Sequence, residues 1–259
     1  MAKTLAEIRS ELQHADRAQF EALSRALAAD ERKGVIQALA TAKKRLDAQE
    51  AEVARSERMY TFQQELADGG VVVGLDEVGR GPVAGPLAVA AVVLPDQPRI
   101  MGLNDSKQLT AQRREALAAT IKQTARAWAV EYVEPSEIDE HGMAASLRLA
   151  FTRALAAVEA QGVHADTVLL DGNALHLDSR ECNVVKGDGK CASIAAASIV
   201  AKVERDALMD ECAKRWPAYG FDHNKGYASA DHIEAIKALG TCPIHRETFC
   251  RAWTQATLF

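Results

Sequence analysis

The chain has 259 residues, 48% of them hydrophobic and 26% charged, and a formal net charge of −5. That balance belongs to a folded globular protein and excludes a disordered one. The longest apolar runs, Leu87 to Leu94 and Ser193 to Ala201, are too short to cross a bilayer.

The first residues, MAKTLAEIRS, lack the apolar core of a secretory signal, so a soluble, cytoplasmic protein is expected. The cysteines agree: Cys182, Cys191, Cys212, Cys242 and Cys250 are odd in number and never form C-x-x-C, which indicates neither a disulfide framework nor a zinc knuckle. Cys242 and His245 stand at C-x-x-H spacing without the second pair a zinc site needs. The acidic balance runs against a nucleic-acid binder. A site built on carboxylates and divalent cations escapes that objection, because its positive charge is in the metal.

Residues 1–65 read as a helical extension. Thr4 and Glu7 fit a capping box, with Leu5, Ile8 and Leu12 on one face behind it. Asp16 is placed to cap a second helix carrying Phe20, Leu23 and Leu27. The polar stretch Asp30 to Gly34 breaks the pattern, and Val35, Leu39 and Leu46 begin a third helix. Lys43, Lys44 and Arg45 fit a nucleic-acid contact less well than a solvated helix face.

Residues 66–259 have a different texture, opened by Gly69-Gly70. Val71 to Leu75 and Leu87 to Leu94 predict two strands pairing as a hairpin across a Gly/Pro-rich turn. A helix from the cap Thr110 to Thr124 precedes a strand at Trp128 to Val133, and Pro135 fits the first turn of a helix carrying Leu147, Phe151 and Leu155. Short strands follow at Thr167 to Leu170, ending at Asp171, and at Asn183 to Val185, ending near Asp188. Ser193 to Trp216 predicts a long helix whose small-sided start, SIAAAS, suits close packing on a sheet; Ala230 to Leu239 is a last helix before an irregular tail. The pattern predicts an α/β domain with a mixed sheet flanked by helices.

GLDEVGRGPVAGP, from Gly74 to Pro86, carries the most chemistry. Asp76 and Glu77 end an apolar strand, where buried carboxylates need partners or a metal. Strand neighbours face opposite sides, so both reach one site only if the strand ends or bends there, as the following glycines allow. Gly74 to Gly81 nearly fits a phosphate loop, but Arg80 replaces its lysine, Gly81 its Ser or Thr, and a strand rather than a helix follows. Asp171 and Asp188, each an ordinary turn residue beside glycine when taken alone, make with Asp76 and Glu77 four carboxylates at strand ends. Such a set suits two hard cations acting on a phosphodiester. His223, His232 and His245 could serve acid–base chemistry, though structural histidines are commoner.

The series DEVGRG, NDSKQL, VLLDGN, VKGDGKCASIAAASIVAKVERD, NKGYAS and HRETF resembles the bacterial ribonuclease HII family in order and spacing, over roughly residues 70 to 250. The N-terminal helices, with DERKG at Asp30, look like an extension found on some bacterial members. The resemblance implies a ribonuclease H-like mixed sheet and Mg²⁺ or Mn²⁺, two ions, on Asp76, Glu77, Asp171 and Asp188. It further implies that Gly79, Arg80 and Gly81 sense the ribose 2′-hydroxyl, since glycine lets the backbone approach a sugar. Tyr227 would pack on the sugar after the ribonucleotide, as against a half-buried tyrosine closing the core. Lys107 and Lys225 are candidates for phosphate contacts or simple solvation, and Asn173 and Ser193 for positioning the phosphate backbone. Arg205 and Asp206 read as a structural pair. The implied substrates are RNA–DNA hybrids and duplex DNA containing ribonucleotides. A resolvase-like DNA nuclease of the same broad fold and a non-catalytic RNA–DNA binding module are the alternatives.

Overall fold

Helix signals in the first third of the chain are local and strong, and the computed structural model, which describes residues 3–254, places helices on them. Thr4 and Glu7 close a reciprocal capping box on α1 (Leu5–His14), and Asp16 and Gln19 close another on α2 (Arg17–Ala26). Helix α3 (Lys33–Leu66) follows. Ile8, Leu12, Phe20, Val35 and Leu46 form the small core of this part. Lys43 pairs with Asp47, and Arg45 donates to the carbonyls of Leu12 and Ala15. By its contacts the chain divides into two compact units, Met1–Glu57 and Arg58–Phe259.

The second unit is built on a five-stranded sheet in the order β3-β2-β1-β4-β5. The strands are β1 (Val72–Val78), β2 (Leu87–Val93), β3 (Ala127–Val133), β4 (Thr167–Asp171) and β5 (Glu181–Val184). β1 and β2 form the expected antiparallel hairpin, β3 continues it, and β4 and β5 run parallel to β1. The sheet is therefore mixed, as the sequence predicts.

Alternation along the strands distributes the core over two faces. Val73, Leu75, Leu87, Val89 and Ala91 meet Phe151, Ala154 and Val158 of α5 (Pro135–Glu159). On the other face, Ala90 and Val92 meet Leu117 and Ile121 of α4 (Ala111–Thr124) and Ala196, Ile199 and Val200 of α6 (Ala192–Arg215). The small-sided start of α6 lies very close to β1: a Cβ added to Gly74 would stand 2.3 Å from the carbonyl carbon of Ser193.

Beyond α6 come the short α7 (Phe221–Asn224), α8 (Ala230–Leu239) and α9 (Glu247–Thr254). The sequence predicts an irregular tail where α9 stands. Its cap is Asp139, whose carboxylate accepts the N–H groups of Glu247 and Thr248 from more than a hundred residues away, so no local signal marks its start. No described helix is long and apolar enough to cross a membrane.

Candidate active site

β1 parts from β4 before it parts from β2. Pairing with β4 ends at Leu75 and Leu170, whereas pairing with β2 continues to Val78 and Ala88. The last residues of β1 thus border a notch, and Asp171, ending β4, stands at its corner. The expected bend at Asp76 and Glu77 is absent. β1 stays extended through Val78, and the chain turns at Gly79, with φ 95°. The two carboxylates take opposite faces of the strand, both beside the notch. Asp76, 7% exposed, accepts the Glu77 N–H on Oδ1 at 2.8 Å, and the nearby Ser198 hydroxyl of α6 works against the rise of its carboxyl. Glu77 opens on a cleft of about 550 Å³ lined also by Arg80, Arg148, Phe151, Asp171 and Asn173.

Asp171 is the charge the other three carboxylates share. Burial raises Asp76 well above the ordinary carboxylate range, and repulsion from Glu77 and Asp171 adds to it. Burial also raises Glu77, opposed by Arg80 and helped by Asp171. Asp188 is raised by burial, then by Asp171 and Asp105, with Lys107 opposing. Asp188 lies in the tight turn Gly187–Gly189, held to the end of β4 by the Gly187 N–H, which donates to Asp171 Oδ1 at 2.6 Å. Four mutually repelling acids with few nearby cations have the chemistry of a hard-cation site. Among the described residues no three ligating side chains are drawn together around one point. Asp171 is occupied by Gly187, and Glu77 by Arg80 at 3.3 Å, so the acids adjoin electrostatically while their oxygens stay apart. The all-oxygen donor set fits Mg²⁺ or Mn²⁺ and suits zinc or copper poorly.

Two residues of this site lie outside the sequence expectations. Ser106, in the NDSK segment, pairs at 3.0 Å with Ser198, joining the turn that carries Lys107 to a hydroxyl that acts on Asp76. Lys107 itself sits in that turn, capped by Asp105. Ser193 is fully buried, and both its N–H and its hydroxyl donate to Gln63, so it does not reach a phosphate.

Gly79 to Pro86 forms a loop held from inside by two fully buried arginines. Arg246 donates to the carbonyls of Gly79, Arg80, Pro82 and Gly85 at 2.6–3.1 Å. Arg205 donates to those of Ala84, Pro86 and Lys225. Arg205 therefore is not paired with Asp206, which binds Lys202 one turn away. Sequence reasoning missed Arg246, whose partners are backbone carbonyls that leave no mark in the sequence. The N–H groups of Val83 and Ala84 both donate to the Gly226 carbonyl, tying the loop to the NKGY segment.

Tyr227 is 49% exposed, so it does not close the core; its ring edge would lie 3.7 Å from a Cβ on Gly81. The Lys225 ammonium is paired with Asp210. His223 is exposed, whereas His232 and His245 are buried in a relay. The Cys242 N–H donates to His245 Nδ1, the two imidazoles share a 3.0 Å hydrogen bond between Nε2 atoms, and His232 Nδ1 donates to the Tyr227 carbonyl. Burial and then His232 lower His245 to about 4, which suits a structural pair rather than a proton donor near neutrality.

A mixed sheet with helices on both faces, and acids at the ends of its adjoining strands, is the layout of ribonuclease H-like hydrolases. Residues 73–252 match the sequence profile of Ribonuclease HII, and residues 4–67 that of the Ribonuclease HII N-terminal domain. The Ribonuclease HII of Lactobacillus delbrueckii subsp. bulgaricus is 42% identical over 86% of this chain and 86% of its own. That of Halalkalibacterium halodurans is 39% identical over 96% and 95%. The crystal structure of the ribonuclease H2 from Pyrococcus horikoshii superposes with a TM-score of 0.61 at 29% identity, covering 71% of this chain and 97% of that one. The chain belongs to the ribonuclease HII family and is a ribonuclease H, a hydrolase of phosphodiester bonds.

Proposed function

We propose that the enzyme cuts the RNA strand of RNA–DNA hybrids, and duplex DNA on the 5′ side of a single embedded ribonucleotide, leaving 3′-hydroxyl and 5′-phosphate ends. Residues 66–259 form the catalytic domain and residues 1–65 a helical extension. Asp76, Glu77, Asp171 and Asp188 hold two divalent cations, Mg²⁺ or Mn²⁺. When bound, these cations supply the hydroxide nucleophile and neutralise the leaving oxygen. The observation that carries the reading is the placement of these acids at the adjoining ends of β1 and β4 and in the Gly187–Gly189 turn, which is bonded to Asp171.

The chain's own groups do the rest. Gly79, Arg80 and Gly81 hydrogen-bond the 2′-hydroxyl, which only RNA offers. Tyr227 packs on the next sugar, its exposed ring facing the slot beside Gly81. Lys107, beside Asp188, meets a phosphate; Lys225 does so on release from Asp210. The acidic cluster argues against a metal-free binding module, because unneutralised acids repel a phosphate backbone.

The test is cleavage, with Mg²⁺ and with Mn²⁺, of a labelled duplex containing one ribonucleotide, beside an all-DNA duplex and a full hybrid. The expected result is a single cut 5′ of the ribonucleotide, a cut hybrid and an intact DNA control. Cutting of the DNA control would favour a resolvase-like nuclease. No cutting by folded protein with either metal would favour a binding module.

A further inference from the structure

The loop from Gly79 to Pro86 has nearly all its backbone groups assigned. Its carbonyls at residues 79, 80, 82 and 85 go to the Arg246 guanidinium, that of Val83 to the Arg246 N–H, and those of Ala84 and Pro86 to Arg205. Pro82 and Pro86 have no N–H, and those of Val83, Ala84 and Gly85 donate to Gly226 and Ile244. The N–H groups of Arg80 and Gly81 have no acceptor among the described residues.

Their direction follows from peptide geometry. The only cis bond among the described residues is Gln97–Pro98, so the peptides joining 79 to 80 and 80 to 81 are trans and planar. In a trans peptide the N–H points opposite to the carbonyl. With the carbonyls of Gly79 and Arg80 drawn onto Arg246, the N–H groups of Arg80 and Gly81 face away from the core. Tyr227, 49% exposed, borders the same loop, its ring 3.7 Å from where a Cβ on Gly81 would stand.

We infer that Arg246 is a positioning residue for ribonucleotide recognition: by gathering the inner carbonyls of this loop, it aims the Arg80 and Gly81 N–H groups at the 2′-hydroxyl. The inference rests on the ribonucleotide reading above and adds the residue that sets its geometry. A guanidinium is suited to the task, with five donors in a planar fork covering four carbonyls. Arg246 forms no ion pair among the described residues, and burying an unpaired cation is costly, so the loop geometry is what the burial secures. A lysine, a point charge with three donors, cannot hold four separated carbonyls.

The test uses the full chain with Ca²⁺ in place of Mg²⁺ to slow turnover, and measures affinity for a duplex with one ribonucleotide and for the same duplex in DNA. Wild type is expected to prefer the ribonucleotide duplex. R246K is expected to lose about tenfold of that preference, with its affinity for DNA unchanged and its circular dichroism native. A merely structural arginine would lower thermal stability and leave the ratio intact, and a folded R246K with the wild-type ratio overturns the inference. Amide NMR of wild type decides the matter if R246K fails to fold. The Arg80 and Gly81 resonances should shift with the ribonucleotide duplex and stay put with DNA; equal responses overturn the inference. Wild type without any preference overturns the ribonucleotide reading itself, and the inference with it.

Discussion

Replacing Gly74 by alanine perturbs the point where the catalytic sheet is most tightly packed. The new Cβ would lie 2.3 Å from the Ser193 carbonyl carbon, 2.4 Å from the Ile194 nitrogen and 2.6 Å from the Ser193 oxygen. All three are backbone atoms of α6, so no side chain can swing away. An ordinary contact begins near 3.4 Å, so β1 and α6 must separate locally by about 1 Å in a close-packed interior. Overpacking of this kind costs about 1–3 kcal/mol, or roughly 2–12 °C in Tm for a domain of this size. Asp76 lies two residues along on the same strand face, with Ser198 of the displaced helix near enough to act on its carboxyl. A misplacement of about 1 Å in a reacting constellation can cost on the order of a hundredfold in rate. The assays are thermal unfolding without metal and cleavage of the single-ribonucleotide duplex under kcat conditions. Gly189→Ala, where an added Cβ meets nothing within 4 Å, is the stability control. A Gly74→Ala protein with wild-type Tm and rate would refute the claim that this contact sets the position of Asp76.

Three other outcomes are expected. Asp76→Asn or Asp171→Asn should abolish cleavage without unfolding; because the folded pKa of Asp76 is raised, its charge weakens the metal-free fold above that pKa, so Asp76→Asn should raise Tm at neutral pH and lose the benefit in acid. Gly81→Ala, at a residue outside the left-handed region and with its nearest contact at 3.7 Å, should keep stability within about 0.5 kcal/mol yet slow ribonucleotide cleavage by about tenfold or more. His245 is lowered to about 4, so the unfolded chain takes up a proton first as pH falls below 6.5, and stability should fall by about 3 kcal/mol between 6.5 and 4; His245→Gln should flatten that slope in urea titrations across this range.

The acids were legible because each ends an apolar run: Asp76 and Glu77 close β1 and Asp171 closes β4, and burial of the strand itself raises the question of what partners them. Their arrangement was not. Asp76 and Glu77 lie on opposite faces of β1, and both border the notch because pairing with β4 stops before pairing with β2, which neither strand's composition reveals. The tight start of α6 was visible in SIAAAS, whereas the Ser198–Ser106 pair beside Asp76 was not, because a hydroxyl has no periodicity to betray it. Arg205 and Arg246 escaped for a related reason. Their partners are carbonyls, present at every residue, so no complementary side chain points back to them. The α9 cap failed the same way, Asp139 lying on another helix.

The bonds from Arg246 to the loop after β1 close across 161 to 167 residues. During synthesis at roughly 5–20 residues per second, the loop would wait about 10–30 s for its arginine. The carboxylates at β1, β4 and the Gly187–Gly189 turn are all made before residue 190. On the proposed reading, an unfinished chain therefore holds all four acids before the arginine that orients the 79–86 loop has been made. In that reading the acids come first in the sequence, and the residue that positions the recognition loop comes last.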